Sequence, residues 1–232
     1  MSTDRTTEIA QNLAALRKHL PAHAALIAVS KTKPASDVIA AAAAGQRLFG
    51  ENYVQEALLK QAELRVNHAD IANTLEWHFI GPLQSNKCRE IAENFDWLHT
   101  LDRAKLVPLL ASARSKSLAK IGARLNVLIQ VNIDAEATKS GCAAAEIAEL
   151  ARLISVFDSL ALRGLMAIPN PAGDLAASFA AMQQCFHALQ AQIAFEFPTQ
   201  RSLCDSVSMG MSNAKCRRTR ATTLPRTLWS VF

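Results

Sequence analysis

The chain has 232 residues, 50% hydrophobic and 19% charged, an ordinary globular mix that excludes a disordered or low-complexity reading for its bulk. No apolar run approaches the roughly 18–20 residues a bilayer span needs, and the polar start Met1-Ser2-Thr3-Asp4-Arg5 holds no signal-peptide core, so a cytoplasmic protein with no membrane partner is expected. The net charge of +5 is local: residues 213–232 hold Lys215, Arg217, Arg218, Arg220, Arg226 and no acid, which leaves 20 basic against 20 acidic residues before them and argues against a nucleic-acid groove.

In chain order, Ile9, Leu13, Leu16 and Leu20 recur at helical spacing and predict an amphipathic helix over about 4–19, stopped by Pro21. The apolar run 25–30 reads as a buried strand, followed by a helix that ends near Gly45. Further strands are expected at 47–50, 76–80, 97–99, 126–133, 160–168 and 203–207. Helices are expected at about 53–66, 86–94, 102–116, 143–157 and 173–194. Regular alternation of strand and helix implies parallel strands with helices outside, and seven β units favour one closed barrel over an open sheet. The fold class is therefore α/β, a single TIM-like (β/α) barrel. Residues 1–212 form the barrel, and 213–232 form an atypical basic tail. Where an eighth strand should close the barrel stands Thr222-Thr223-Leu224-Pro225-Arg226, and a proline inside a central strand removes a ladder hydrogen bond. The eighth strand is thus in doubt, and an unclosed barrel would expose its sheet edges.

Five cysteines (Cys88, Cys142, Cys185, Cys204, Cys216) at irregular spacing, with no CxxC pair, predict reduced and mostly buried thiols. The six histidines show no HxH or HExxH spacing and do not make a set, so no metal is expected; His78 and His99 fall on neighbouring strands. The three tryptophans and Met166 are expected to pack.

Chemistry in a parallel barrel gathers just past the strand C-termini. Lys31 ends the first strand. It is either a solvated strand-end lysine or a desolvated amine that attacks carbonyls and forms a Schiff base. Lys33, beside Pro34, is expected to be solvated, and Lys87 is a second competitor. Ser208-Met209-Gly210-Met211-Ser212 follows a strand and could offer N–H groups to a phosphate, or be an ordinary turn. Asn52 and Asn86 could orient a ligand or bond their local backbone. Tyr53 is the only tyrosine.

The run Ile27 to Pro34 (IAVSKTKP) resembles the lysine-bearing segment of the pyridoxal phosphate homeostasis protein family, whose bacterial members are similar to the N-terminal barrel of alanine racemase. Phe49 to Glu56 (FGENYVQE), Trp77 to Lys87 (WHFIGPLQSNK), Lys139-Ser140-Gly141, Arg163 to Pro169 (RGLMAIP) and Ser208 to Ser212 match the same family in order. The resemblance implies that Lys31 carries pyridoxal 5′-phosphate (PLP) as an internal aldimine. It also implies that Asn52 lies against the cofactor and that Ser208, Gly210 and Ser212 help hold its phosphate. The family closes with a strand reading like Val-Arg-Ile-Gly-Thr, whose arginine faces the pyridine nitrogen. Here Arg226 falls at the arginine position, with Leu228 and Trp229 in place of the Gly-Thr pair, and a changed reading frame near residue 213 would account for such a tail. A side chain where the backbone must approach a phosphate predicts weaker cofactor retention.

The resemblance implies a protein that buffers or delivers PLP, with PLP-dependent apoenzymes as partners and no catalytic residues; the sequence itself does not give the oligomeric state, and a monomer is the default expectation. The alternative is a PLP-dependent amino-acid racemase, which needs a second acid–base group on the opposite cofactor face. A phosphate-binding barrel enzyme without a Schiff base and a cofactor-free product of a damaged gene are two further readings.

Overall fold

The computed structural model describes residues 3–118, 120, 122–136, 139–197, 203–211 and 227–231. After helix α1 (Thr3–Arg17), the chain alternates strand and helix: β1 (Ala24–Val29), α2 (Ala35–Ala43), β2 (Leu48–Glu51), α3 (Val54–Asn67), the single turn α4 (Ala69–Ala72), β3 (Glu76–Phe79) and α5 (Cys88–Asn94). It continues through β4 (Trp97–Leu101), α6 (Val107–Ser115), β5 (Leu125–Gln130), α7 (Ile147–Ser155), β6 (Leu160–Ala167), α8 (Leu175–Glu196), β7 (Ser206–Met211) and β8 (Thr227–Val231). The strands pair in sequence order, all parallel, into a closed α/β barrel.

The closing strand is β8. It pairs with β7 from Val207↔Thr227 to Met211↔Val231 and with β1 from Ala24↔Thr227 to Ala28↔Val231. The strand falls at 227–231 and not on 222–226, so it begins two residues past Pro225 and the proline stays out of its ladder. Part of the 213–232 segment is thereby drawn into the barrel, and the described strands leave no open sheet edge. The second shift from expectation is β7, which runs to Met211 and not to 207, because β6 pairs with it as far as Met209 and β8 as far as Met211.

Strand alternation separates two cores. Leu26, Val127 and Leu165 face the helices in the larger one, where Phe49, Phe79, Phe95 and Phe186 are also buried. Their chain neighbours Ile27, Leu128 and Met166 meet Trp97 in a small cluster inside the barrel. Met166 and the buried Trp77 and Trp97 pack as expected, and the side chain of Trp229 lies outside the described residues. Arg163 closes the lower end of the interior. Its guanidinium lies 4.9 Å from the Trp97 ring and bonds Asp205 Oδ2 at 2.7 Å and Asn126 Oδ1 at 3.0 Å. Gly164, next to it, has φ 143°, and a Cβ there would come within 1.9 Å of the Ser206 carbonyl oxygen, so only glycine lets β6 and β7 approach. Cys88, Cys142 and Cys204 are buried free thiols, and burial pushes Cys142 and Cys204 up to about 12, which makes both inert; Cys216 lies outside the described residues.

Arg114 holds the helix layer between α5 and β5. It is buried and donates to the carbonyls of Ala92 (2.7 Å), Phe95 (2.9 Å), Ala123 (2.9 Å) and Arg124 (2.9 Å). Substitution Arg114→Met should strand these acceptors and lower the unfolding free energy by about 2–4 kcal/mol, measured by urea denaturation.

Candidate functional site

Interior positions of the strands converge on the C-terminal mouth. Ile27 faces inward, and alternation carries the inward phase through Val29 to Lys31, the second residue past β1. Lys31 is half-buried whereas Lys33 is exposed, so the two lysines part as the sequence suggests. The Ser30 N–H extends the ladder to the Gly50 carbonyl (3.0 Å), and the chain then turns, with the Lys33 N–H donating to the Ser30 carbonyl at 3.0 Å. In β2 the same alternation carries Gly50 into Asn52. A Cβ on Gly81 would lie 2.1 Å from the Asn52 carbonyl oxygen, so the glycine of the Trp77–Lys87 motif is what lets the third strand's exit press against Asn52.

Asn52 lines a cavity of about 220 Å³ with Ile80, Gln130, Asn132, Lys139 and Ile168. The Asn52 Oδ1 is buried and takes no hydrogen bond among the described residues. A buried acceptor left open beside a cavity calls for a donor from a bound molecule. Lys139 pairs with Asp134 and Glu136, each at 3.1 Å. Lys87 pairs with Glu90 at 3.1 Å, away from this cavity, and Asn86 is exposed on a short 3-10 turn, so neither joins the site.

Ser208 and Gly210 lie within β7 and not in a turn after it. Ser208 is fully buried in the barrel interior. Its Oγ is 2.9 Å from His99 Nδ1, His99 Nε2 is 2.9 Å from His78 Nδ1, and His78 Nε2 is 3.0 Å from Glu76 Oε1. The expectation that the histidines form no set is corrected here: two of them join β3, β4 and β7 in one chain of contacts. The hydrogen-bond directions along the line are set by the tautomers of His78 and His99, and the Ser208 hydroxyl can donate to His99 or accept from it. Ser212 and Arg226 lie outside the described residues. Among the described residues no cluster of three or more His, Cys, Asp or Glu side chains is arranged to hold a metal, and no helix is long and apolar enough to cross a membrane.

Full burial, then the neighbouring His78, hold His99 well below the usual imidazole value of 6.5. The unfolded chain takes up a proton there as pH falls through about 6.5 while the folded chain does not, so acid costs stability. Unfolding by urea at pH 7.5 and 5.5 should show this loss, up to about 1.4 kcal/mol for each pH unit below 6.5, and His99→Gln should remove that part of the dependence.

A family model described as "Alanine racemase, N-terminal domain" matches residues 5–227. The pyridoxal phosphate homeostasis protein of Vibrio cholerae is 49% identical over 187 residues, covering 81% of this chain and 75% of the relative. That of Escherichia coli K12 is 44% identical over 218 residues, covering 89% and 87%. The solved structure of PipY from Synechococcus elongatus PCC7942 with PLP bound superposes with a TM-score of 0.76 at 36% identity, over 96% of this chain and 97% of that one; the form without PLP gives 0.79 at 37%. Alanine racemase from Corynebacterium glutamicum shares the fold alone, with a TM-score of 0.64 at 18% identity over 97% of this chain and 59% of that one. The sequence matches run through the strands that build the mouth described above, and on them the chain belongs to the pyridoxal phosphate homeostasis protein family, built on the alanine racemase N-terminal domain.

Proposed function

We propose that this chain binds PLP reversibly through the amine of Lys31 and serves to buffer or deliver it. The observation that carries the reading is a buried, open acceptor on Asn52 at a cavity wall, with Lys31 and Asn52 each following a strand of the closed barrel by the same strand alternation. Lys31 follows β1 by two residues, in the inward phase of the strand's alternation, and Asn52 brings an unsatisfied buried acceptor to a cavity wall. The described residues fit the group on this side. When bound, PLP supplies an aldehyde that condenses with a primary amine and a phosphate that needs N–H donors. Lys31 would supply the amine and Asn52 would orient the ring. Ser208, Gly210 and Ser212 would frame the phosphate, with main-chain N–H groups as donors while the Ser208 hydroxyl is engaged with His99 at 2.9 Å. Arg226 would face the pyridine nitrogen. PLP-dependent apoenzymes would be the recipients, and the chain would act as a monomer in the cytoplasm.

The relatives are named for homeostasis, and the likeness to alanine racemases is one of fold. Racemisation needs an acid–base group on the cofactor face opposite Lys31. The single tyrosine, Tyr53, caps the N-terminus of α3 and is 57% exposed, which suits neither desolvation nor a precise hold on a proton. The proposed protein therefore holds the cofactor without turning over an amino acid.

Adding PLP should produce a visible absorbance band that borohydride bleaches, with the reduced adduct on the Lys31 peptide by mass spectrometry and no adduct in Lys31→Ala. An adduct elsewhere, or none, overturns the reading. Single-enantiomer alanine in deuterated water should exchange at Cα no faster with the loaded wild type than with Lys31→Ala, whereas exchange above that control would make the protein a racemase-like enzyme.

A further inference from the structure

The turn that carries Lys31 holds a residue in an unfavourable backbone conformation. Thr32 has φ 61°, in the left-handed region that a β-branched residue rarely enters, and such outliers persist only where their surroundings over-determine them. Within the turn itself there is one closing bond, from the Lys33 N–H to the Ser30 carbonyl. Three ionic side chains behind the turn supply further bonds.

Lys60 of α3 donates to the Ser30 carbonyl at 2.5 Å, to Glu51 Oε1 at 2.7 Å and to Glu56 Oε1 at 2.6 Å. The Ser30 hydroxyl donates to the same Glu51 oxygen at 2.7 Å, and the Thr32 N–H donates to Glu56 Oε1 at 2.5 Å. The residue before Lys31 and the residue after it are therefore both tied to one ammonium–carboxylate cluster on the helix side of the sheet. The Lys60 and Glu51 side chains are 7% and 0% exposed, and Glu51 Oε2 takes no hydrogen bond among the described residues. Burial pushes the Glu51 carboxyl up, and bonds from Lys60 and Ser30 pull it partly back. A dry ion cluster of this kind is a poor way to gain stability, since hydrophobic residues of similar volume often do as well. Its distinctive product is a fixed position.

We propose that Glu51, Glu56 and Lys60 are positioning residues that hold the Lys31 amine toward the barrel mouth for attack on an aldehyde. The inference rests on the reading of Lys31 under Proposed function. In the reaction the amine nitrogen bonds the aldehyde carbon, C=N replaces C=O, and the oxygen leaves as water. The cluster touches none of these atoms and acts through the turn.

The test uses the full chain and two variants. Glu56→Gln weakens the hold on Thr32 at a partly exposed site. The double variant Glu51→Gln/Lys60→Met removes both charges together, so no lone buried charge is left. Borohydride-trapped adduct at Lys31 is followed with PLP and with pyridoxal, which lacks the phosphate, and hydrogen exchange of amides 30–33 is read without any aldehyde present. The expected result is adduct formation slowed about ten-fold or more with both aldehydes, because misplacing a reacting group by ~1 Å costs on that order or beyond. The Thr32 amide should exchange faster while circular dichroism is unchanged. A cluster that is merely structural would lower the melting temperature and leave adduct rates in the folded fraction at the wild-type value, which overturns the inference. If the double variant fails to fold, Glu56→Gln decides: wild-type adduct rates and wild-type Thr32 protection overturn the inference. A wild-type chain that gives no Lys31 adduct refutes the proposed function and the inference with it, whereas a wild-type adduct with unaffected variants refutes the inference alone.

Discussion

Every feature of the mouth depends on strand parity. A parallel barrel shows alternate residues of each strand to its interior and the rest to the helices, and closure locks that choice for all eight strands at once. A shift of one residue in β1 would bring Leu26 inside, place Ile27 among the helices, and turn Lys31 away from the mouth. The inner cluster of Ile27, Trp97, Leu128 and Met166 therefore sets the geometry of the functional end as well as filling the lower barrel.

The interior sets polar side chains beside the apolar cluster, with Ser208 paired in register with Met166 and His78 with Trp97. The polar part is organised before any ligand arrives: Glu76, His78, His99 and Ser208 make a line of contacts across three strands. Full burial disfavours a positive charge on His99. On the outside of the same sheet the opposite choice is made, with a buried ion cluster of Lys60, Glu51 and Glu56 behind β1 and β2. The ion cluster bonds the backbone on both sides of Lys31, at the Ser30 carbonyl and the Thr32 N–H.

The fold shared with alanine racemase supplies a barrel mouth and says little of what happens there. The chemistry belongs to particular side chains. The single tyrosine, Tyr53, is exposed at the start of α3.

Much of this architecture was legible in the amino-acid order. Apolar runs punctuated by Pro21, Pro34 and Gly45 mark the first strands and helices, and regular alternation is enough for a parallel α/β barrel. Lys31 is visible as the polar residue that ends an apolar strand, and Asn52 stands in the same place after the second. Strand exits are local features, so local sequence reveals them. What tertiary structure alone decided are the contacts between distant segments. His99 and Ser208 are 109 residues apart and meet only because β4 and β7 present the same parity to one interior, which no spacing rule detects. The extent of β7 and the place of β8 depend on ladder partners on both sides, a property of neighbours and not of the strand's own residues. The bracing of the Lys31 turn likewise depends on Lys60, a helix lysine 29 residues further on, which nothing in the sequence singles out because its burial beside Glu51 is a product of packing.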